Sequence, residues 1–354
     1  MPVVHGRARA RDARRRPPRR GPEVGAPSGQ PAAALRPARP VINPRLLRRF
    51  RPVASAARLA SPAQPLIDLG RELWFDARLS RDGDLSCNSC HALDHYGVDG
   101  APTSTGTGGR RDRRNSPTVF NAGLQFAQFW DGRAKDLEAQ ALGPLNGPDE
   151  MAMTPARVAA TLTAIPGYRA LFARAFPGES HPLDMAHVAR ALAAFESGMV
   201  THGRWDDYLA GHSDELSDAE IDGLRRFIEV GCITCHTGPQ VGASLFQKAG
   251  VFEPWPNQAD QGRYEVTHDP VDRMYFKVPS LENVGHTAPY FHDGSADDLE
   301  TAVRLMARRQ LGVTLDDDEA TSIATFLRAL SGDLPTAYIE RPQLPASAPA
   351  AVRR

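Results

Sequence analysis

The chain has 354 residues, room for two domains of roughly 100–200 residues each. It is 41% hydrophobic and 24% charged, the balance of an ordinary globular protein. Its 42 basic side chains equal its 42 acidic ones, so no global field directs it to nucleic acid or to an anionic membrane. Nor does any apolar run reach the ~18 residues that a membrane span needs.

From the N-terminus, residues 1–58 contain no Lys but many Arg, mixed with Pro, Ala and Gly, as in Arg14-Arg15-Arg16-Pro17-Pro18-Arg19-Arg20. Such a segment buries too little apolar surface to fold, and the composition predicts a disordered tail over residues 1–60. Arg48-Arg49-Phe50 followed by Ala54-Ser55-Ala56 faintly echoes a twin-arginine export signal. The apolar middle that such a signal needs is missing. A mis-assigned start or a damaged upstream reading frame is the preferred explanation.

Next, Leu66, Leu69, Leu73 and Trp74 share one face of a predicted helix over 65–75. It leads into Cys87-Asn-Ser-Cys90-His91. Further on, Pro155 to Phe176 reads as helical with an interruption at Pro166-Gly167, and Val188, Leu192, Phe195 and Met199 form a buried helix stripe. Ser217 and Glu220 then make a capping box for a helix carrying Ile221, Leu224 and Ile228 inward. Gly231 ends that helix just before Cys232-Ile-Thr-Cys235-His236. A last helix opens on Asp316-Asp-Asp-Glu319, which suits the helix dipole, and carries Ile323, Phe326, Leu327 and Leu330 toward Gly332. No β alternation of useful length is visible. Residues 335–354 form a short Pro/Ala-rich tail.

The two C-x-x-C-H runs use every cysteine of the chain. This pattern is the attachment signal for c-type haem: the thiols bond to the haem vinyl groups, and the histidine becomes the proximal iron ligand. A redox dithiol needs no following His. A zinc site lacks its usual compact spacing here, and disulfides suit a two-residue spacing less well. The expected architecture is mostly α, with two tandem cytochrome c-like domains, 61–212 and 213–334. Each surrounds one covalently attached haem, and the loops are long. Covalent haem attachment implies a periplasmic location, which the missing export signal leaves unsupported.

Residues 115–151 carry a resemblance. Asn115-Ser-Pro-Thr-Val-Phe-Asn121, Phe129-Trp-Asp-Gly-Arg133, Leu137-Glu-Ala-Gln140 and Gly147-Pro-Asp-Glu-Met151 resemble the bacterial di-haem cytochrome c peroxidases. So do Val278-Pro-Ser-Leu, Pro289-Tyr-Phe-His-Asp-Gly294 and Leu299-Glu-Thr-Ala-Val303, and the likeness spans roughly 65–335. The family also includes the di-haem enzyme that matures the tryptophan-derived cofactor of methylamine dehydrogenase.

The resemblance implies that His91 is the proximal ligand of a peroxidatic haem and His236 that of an electron-accepting haem. It implies that Gln140 and Glu150 are the distal pair acting on hydrogen peroxide, and that Trp130 lies between the haems. Asn115, Thr287 and Pro289 match positions associated with a calcium ion. The second haem needs a thioether sixth ligand to sit at high potential, and of Met274 and Met306 the latter lies in the matching segment. The maturation enzyme has tyrosine there, so Met306 argues for peroxidase activity.

Many members carry an iron-capping histidine where Thr107 stands. Thr107 is a poor iron ligand, so the first haem is expected to be open without reductive activation; His95 is the substitute weighed against this. The expected partners are hydrogen peroxide and a small electron donor, a cytochrome c or a blue copper protein, with a homodimer as a common family state. The rivals are a peroxide-dependent oxidase of a protein or organic substrate, and a di-haem electron carrier. The carrier needs a second ligand on the first iron, for which Met151, Met153, Met185 and Met199 are the formal candidates.

Overall fold

Eight helices of eight residues or more frame the described residues, 41–53 and 62–347, of this computed structural model. In chain order they are α1 (Gln64–Phe75), α2 (Leu137–Asn146), α3 (Pro155–Ala164), α4 (Pro166–Ala175), α5 (Met185–Glu196), α6 (Asp218–Val230), α7 (Leu299–Leu311) and α8 (Asp317–Arg328). The expected break between α3 and α4 falls at Ile165, where extended backbone precedes Pro166; a proline cannot continue the preceding helix. Ser217 and Glu220 close their capping box on α6, and Gly231 ends it in the left-handed conformation (φ 103°). The fold is mostly α, with four short strands among the described residues: β1 (His202–Gly203) pairs with β4 (Gly332–Asp333), and β2 (Phe246–Lys248) with β3 (Tyr275–Lys277). These strands have only two or three residues, too few to show an alternating pattern.

Two hydrophobic cores lie within one compact unit. The first joins α1, α3, α4 and α5 through Leu69, Leu73, Val158, Phe172, Val188 and Phe195. The second joins α6, α7 and α8 through Leu224, Phe227, Val303, Ile323 and Phe326. Each has a helix pair in close contact, and each contact depends on a glycine. A Cβ on Gly70 of α1 would sit 1.9 Å from the Ala191 carbonyl oxygen of α5. A Cβ on Gly223 of α6 would sit 2.1 Å from that of Ser322 on α8. Backbone cannot yield at such distances, so the glycines set the helix spacing.

Three expectations need correction. Residues 41–53 are not a tail: Ile42 and Phe50 enter the second core, Phe50 lies edge-on to Trp205 (5.3 Å), and the Val53 N–H donates to Asp206 Oδ1 (2.6 Å). Apolar residues isolated among arginines find a preformed surface there. Residues 1–40 of the predicted tail lie outside the described residues. The C-terminal Pro/Ala segment also packs: Ile339 enters the first core and Tyr338 stacks on Phe195 (5.3 Å, 19°). Met199 lies beyond the end of α5, although it is fully buried in the same core.

Candidate functional site

Cys87–Cys90 forms a single helical turn, and both thiols and the following His91 line one cavity. The four cysteines are free thiols. Burial pushes Cys90 up to about 11, and Cys87 further in the same direction. His91 Nδ1 lies 3.2 Å from the Gly97 carbonyl oxygen, and burial lowers the pKa of the ring. A neutral imidazole that donates from Nδ1 to a carbonyl keeps Nε2 as a lone-pair ligand, the usual arrangement of a metal-binding histidine. Two free thiols and such a histidine on one turn fit a thioether-linked haem.

Gln140 and Glu150 line the same cavity. Gln140 stands on α2, whose N-terminus Asp136 caps by accepting from the Ala139 N–H (2.8 Å). Glu150 follows the end of α2 and is pushed up to about 7 by burial and by Asp112 and Asp149, against the opposing charge of Arg133. Gly147 makes room for its carboxyl: a Cβ there would lie 2.2 Å from Glu150 Oε2.

Thr107 is 0% exposed. Its N–H donates to the Glu150 carbonyl (2.8 Å), and its hydroxyl has no partner among the described residues. Gly106, not Thr107, is on the cavity wall. His95 is exposed, bonds its neighbour Asp94 (3.0 Å) and lines neither cavity. Of the four methionines considered for this site, only Met151 reaches the cavity.

Sequence reasoning missed Glu196. This carboxyl is 5% exposed, lines the first cavity, and is pushed up to about 8 by burial. A signal was present: Glu196 continues the spacing of Val188 and Leu192 along the buried stripe of α5.

Cys232, Cys235 and His236 line a second, larger cavity together with Trp130 and Met306. The motif repeats its first geometry: His236 Nδ1 lies 3.2 Å from the Val241 carbonyl oxygen. Burial pushes the His236 ring down to about 4 and the Cys232 thiol up to about 12. Met306 projects from α7 into this cavity, whereas Met274 packs against Trp255 and Phe276 outside its lining. Trp130 donates its indole N–H to the Asn115 carbonyl (2.9 Å), and its ring lies 6.4 Å from that of His292. Asn115, Thr287 and Pro289 all border the same cavity. Arg114 links the stretch after the first motif to the stretch after the second, pairing with Asp131 (2.5 Å) and Asp260 (2.6 Å).

A helical frame with two cavities, each holding a C-x-x-C-H turn against its wall, points to a redox protein with two centres. Residues 64–214 match the family model described as di-haem cytochrome c peroxidase. The chain is 43% identical to the cytochrome c551 peroxidase of Nitrosomonas europaea over 272 residues, covering 76% of this chain and 81% of that one. It is 43% identical to the cytochrome c551 peroxidase of Pseudomonas aeruginosa over 286 residues, covering 79% and 82%. Among solved structures, it superposes on a MauG-like protein associated with microbial copper homeostasis with a TM-score of 0.70, at 29% identity, covering 79% of this chain and 94% of that one. The chain belongs to the di-haem cytochrome c peroxidase family.

Proposed function

We propose that the protein reduces hydrogen peroxide to water with electrons from a small redox protein, a cytochrome c or a blue copper protein. The first site then needs no reductive activation. The observation that carries this reading is the first cavity, which gathers His91, Gln140 and Glu150 while Thr107 is tied to the backbone behind Glu150.

Cys87 and Cys90 hold one haem and Cys232 and Cys235 the other, by thioether bonds. Haem iron supplies the redox chemistry that cleaves the peroxide O–O bond. His91 would hold that iron through the Nε2 that its Gly97 hydrogen bond leaves available. Gln140, which lines the same cavity, would orient peroxide there. Glu150 takes a proton from one peroxide oxygen and returns it to the other; a carboxyl near neutrality suits both halves of that transfer. In sum, one peroxide, two protons and two electrons give two waters.

His236 and Met306, which line one cavity, would hold the second iron, and a thioether ligand favours the reduced state. Trp130 lies on the route between the two centres. Asn115, Thr287 and Pro289 would hold a calcium ion, the latter two through backbone carbonyl oxygens. Two haem domains, 61–212 and 213–334, are the division we infer, although the second core also takes in Trp205, Ile42 and Phe50, and the first takes in Ile339. Covalent haem attachment places the protein in the periplasm, and a homodimer is the assembly to test for. Among the described residues no helix is long and apolar enough to cross a membrane.

The electron-carrier reading has one observation in its favour, Met151 on the wall of the first cavity. The spin state of the diferric protein decides. With two haems verified by mass, one high-spin and one low-spin iron are expected by electron paramagnetic resonance. Low-spin iron alone would remove the open first site. The substrate-oxidase rival predicts the same spectrum but no turnover with a reduced cytochrome.

A further inference from the structure

Lys277 is a buried lysine that the mechanism above leaves unused. It sits on β3 between Phe276 and Val278, borders the second cavity, and is 7% exposed. Its backbone N–H donates to the Trp130 carbonyl (2.7 Å). Its ammonium donates to Gln125 Oε1 and to the Ala127 carbonyl (3.0 Å), in the loop that leads to Trp130. Lys277 therefore grips the Trp130 segment at two points.

Both partners of the ammonium are neutral. Asp131 is the carboxylate that acts on it, but only from a distance; the Asp131 oxygens are taken by Arg114 (2.5 Å) and Arg133 (3.1 Å), and its carbonyl accepts from Arg263 (3.2 Å). Among the described residues, no ion pair is formed by Lys277. Burial pushes its pKa down to about 8 despite Asp131. A buried charge without a paired counter-charge is costly, so its presence beside a cavity calls for an anionic occupant.

We propose that Lys277 is a positioning residue for Trp130 and the fixed positive charge of the second cavity, partnering a carboxylate of the haem held there. This inference rests on the second cavity being a haem site. An electron added to that haem lowers the local charge by one, which a fixed cation in a low-dielectric wall favours. Lys277 then raises the midpoint potential of the second haem and leaves that of the first nearly unchanged.

The test is spectroelectrochemical titration of the full di-haem protein and three variants, after mass spectrometry has counted the haems. Lys277→Met removes the charge and keeps the stem. Lys277→Gln removes the charge but keeps an N–H donor for the Ala127 carbonyl. Lys277→Arg keeps the charge. The expected result is a downward shift of the second midpoint in the Met and Gln variants, with Arg restoring most of it. Wild-type potentials in all three variants, or an equal shift in all three, would overturn the proposal; the second outcome would show a packing effect only. A wild-type protein with one haem and unmodified Cys232 and Cys235 would overturn the second-site reading itself, at the mass-counting stage.

Discussion

Gly147→Ala should separate the proposed catalytic role of Glu150 from the stability of the fold. The new Cβ would lie 2.2 Å from Glu150 Oε2 and 3.1 Å from its Cδ. Ordinary contact requires the carboxyl to retreat by roughly 1 Å. Backbone strain does not enter, because Gly147 has φ −55° and ψ 120°, which alanine adopts freely. Loss of the glycine's freedom in the unfolded chain adds about 0.4–1 kcal/mol of stability, offsetting the local rearrangement. The protein should therefore unfold at close to the wild-type temperature. Turnover should fall much further, because a displacement of that size in a catalytic group costs about a hundredfold and a positioned acid–base group contributes roughly 10²–10⁴-fold. The assay is peroxide-dependent oxidation of a reduced small cytochrome, with haem content and thermal unfolding measured on the same sample. Turnover within about a factor of two of wild type, at full haem content, would refute the role given to the Glu150 carboxyl.

Glu150, raised to about 7, is the carboxylate that accepts a proton only above that pH, so activity should fall about tenfold per pH unit below 7; Glu150→Gln should be slow throughout and lose that limb. Met306→Leu should remove the thioether from the second site, giving a lower second-haem potential and an altered ferric spectrum, with the first haem unchanged. His187 is raised because hydrogen bonds to Asp184 (2.8 Å) and Glu179 (2.5 Å) outweigh its partial burial. Its contribution is full below the unfolded pKa near 6.5 and disappears as pH rises through the folded value. Because both carboxylates are substantially exposed, His187→Gln should cost less than about 1 kcal/mol in acid and nothing at high pH, as read from denaturant midpoints.

Local signals carried much of the fold. The α6 helix is bounded by a capping box at Ser217 and a glycine at 231, and α8 by acidic residues at its N-terminus; each signal acts within a few residues and reads directly. The C-x-x-C-H turns are equally local. What stayed hidden depends on distant surfaces: Phe50 is apolar in a basic segment, and only the Trp205 face gives it a place to pack. The pinning of Thr107 joins residues far apart in the chain by a single backbone hydrogen bond to Glu150, which no periodicity encodes. Lys277 lies in a three-residue strand, too short for its burial to be read from alternation. Glu196 could have been found, since a carboxylate in register with a buried stripe already marks an exceptional environment.

The most direct test of the central claim is to add peroxide and reduced small cytochrome to the fully oxidised protein, with no prior reduction. Immediate turnover at the steady rate is expected, because Thr107 lies off the wall of the first cavity. A lag removed only by mild pre-reduction would contradict that claim and require another residue at the sixth position. No turnover in either state would contradict the peroxidase assignment as a whole.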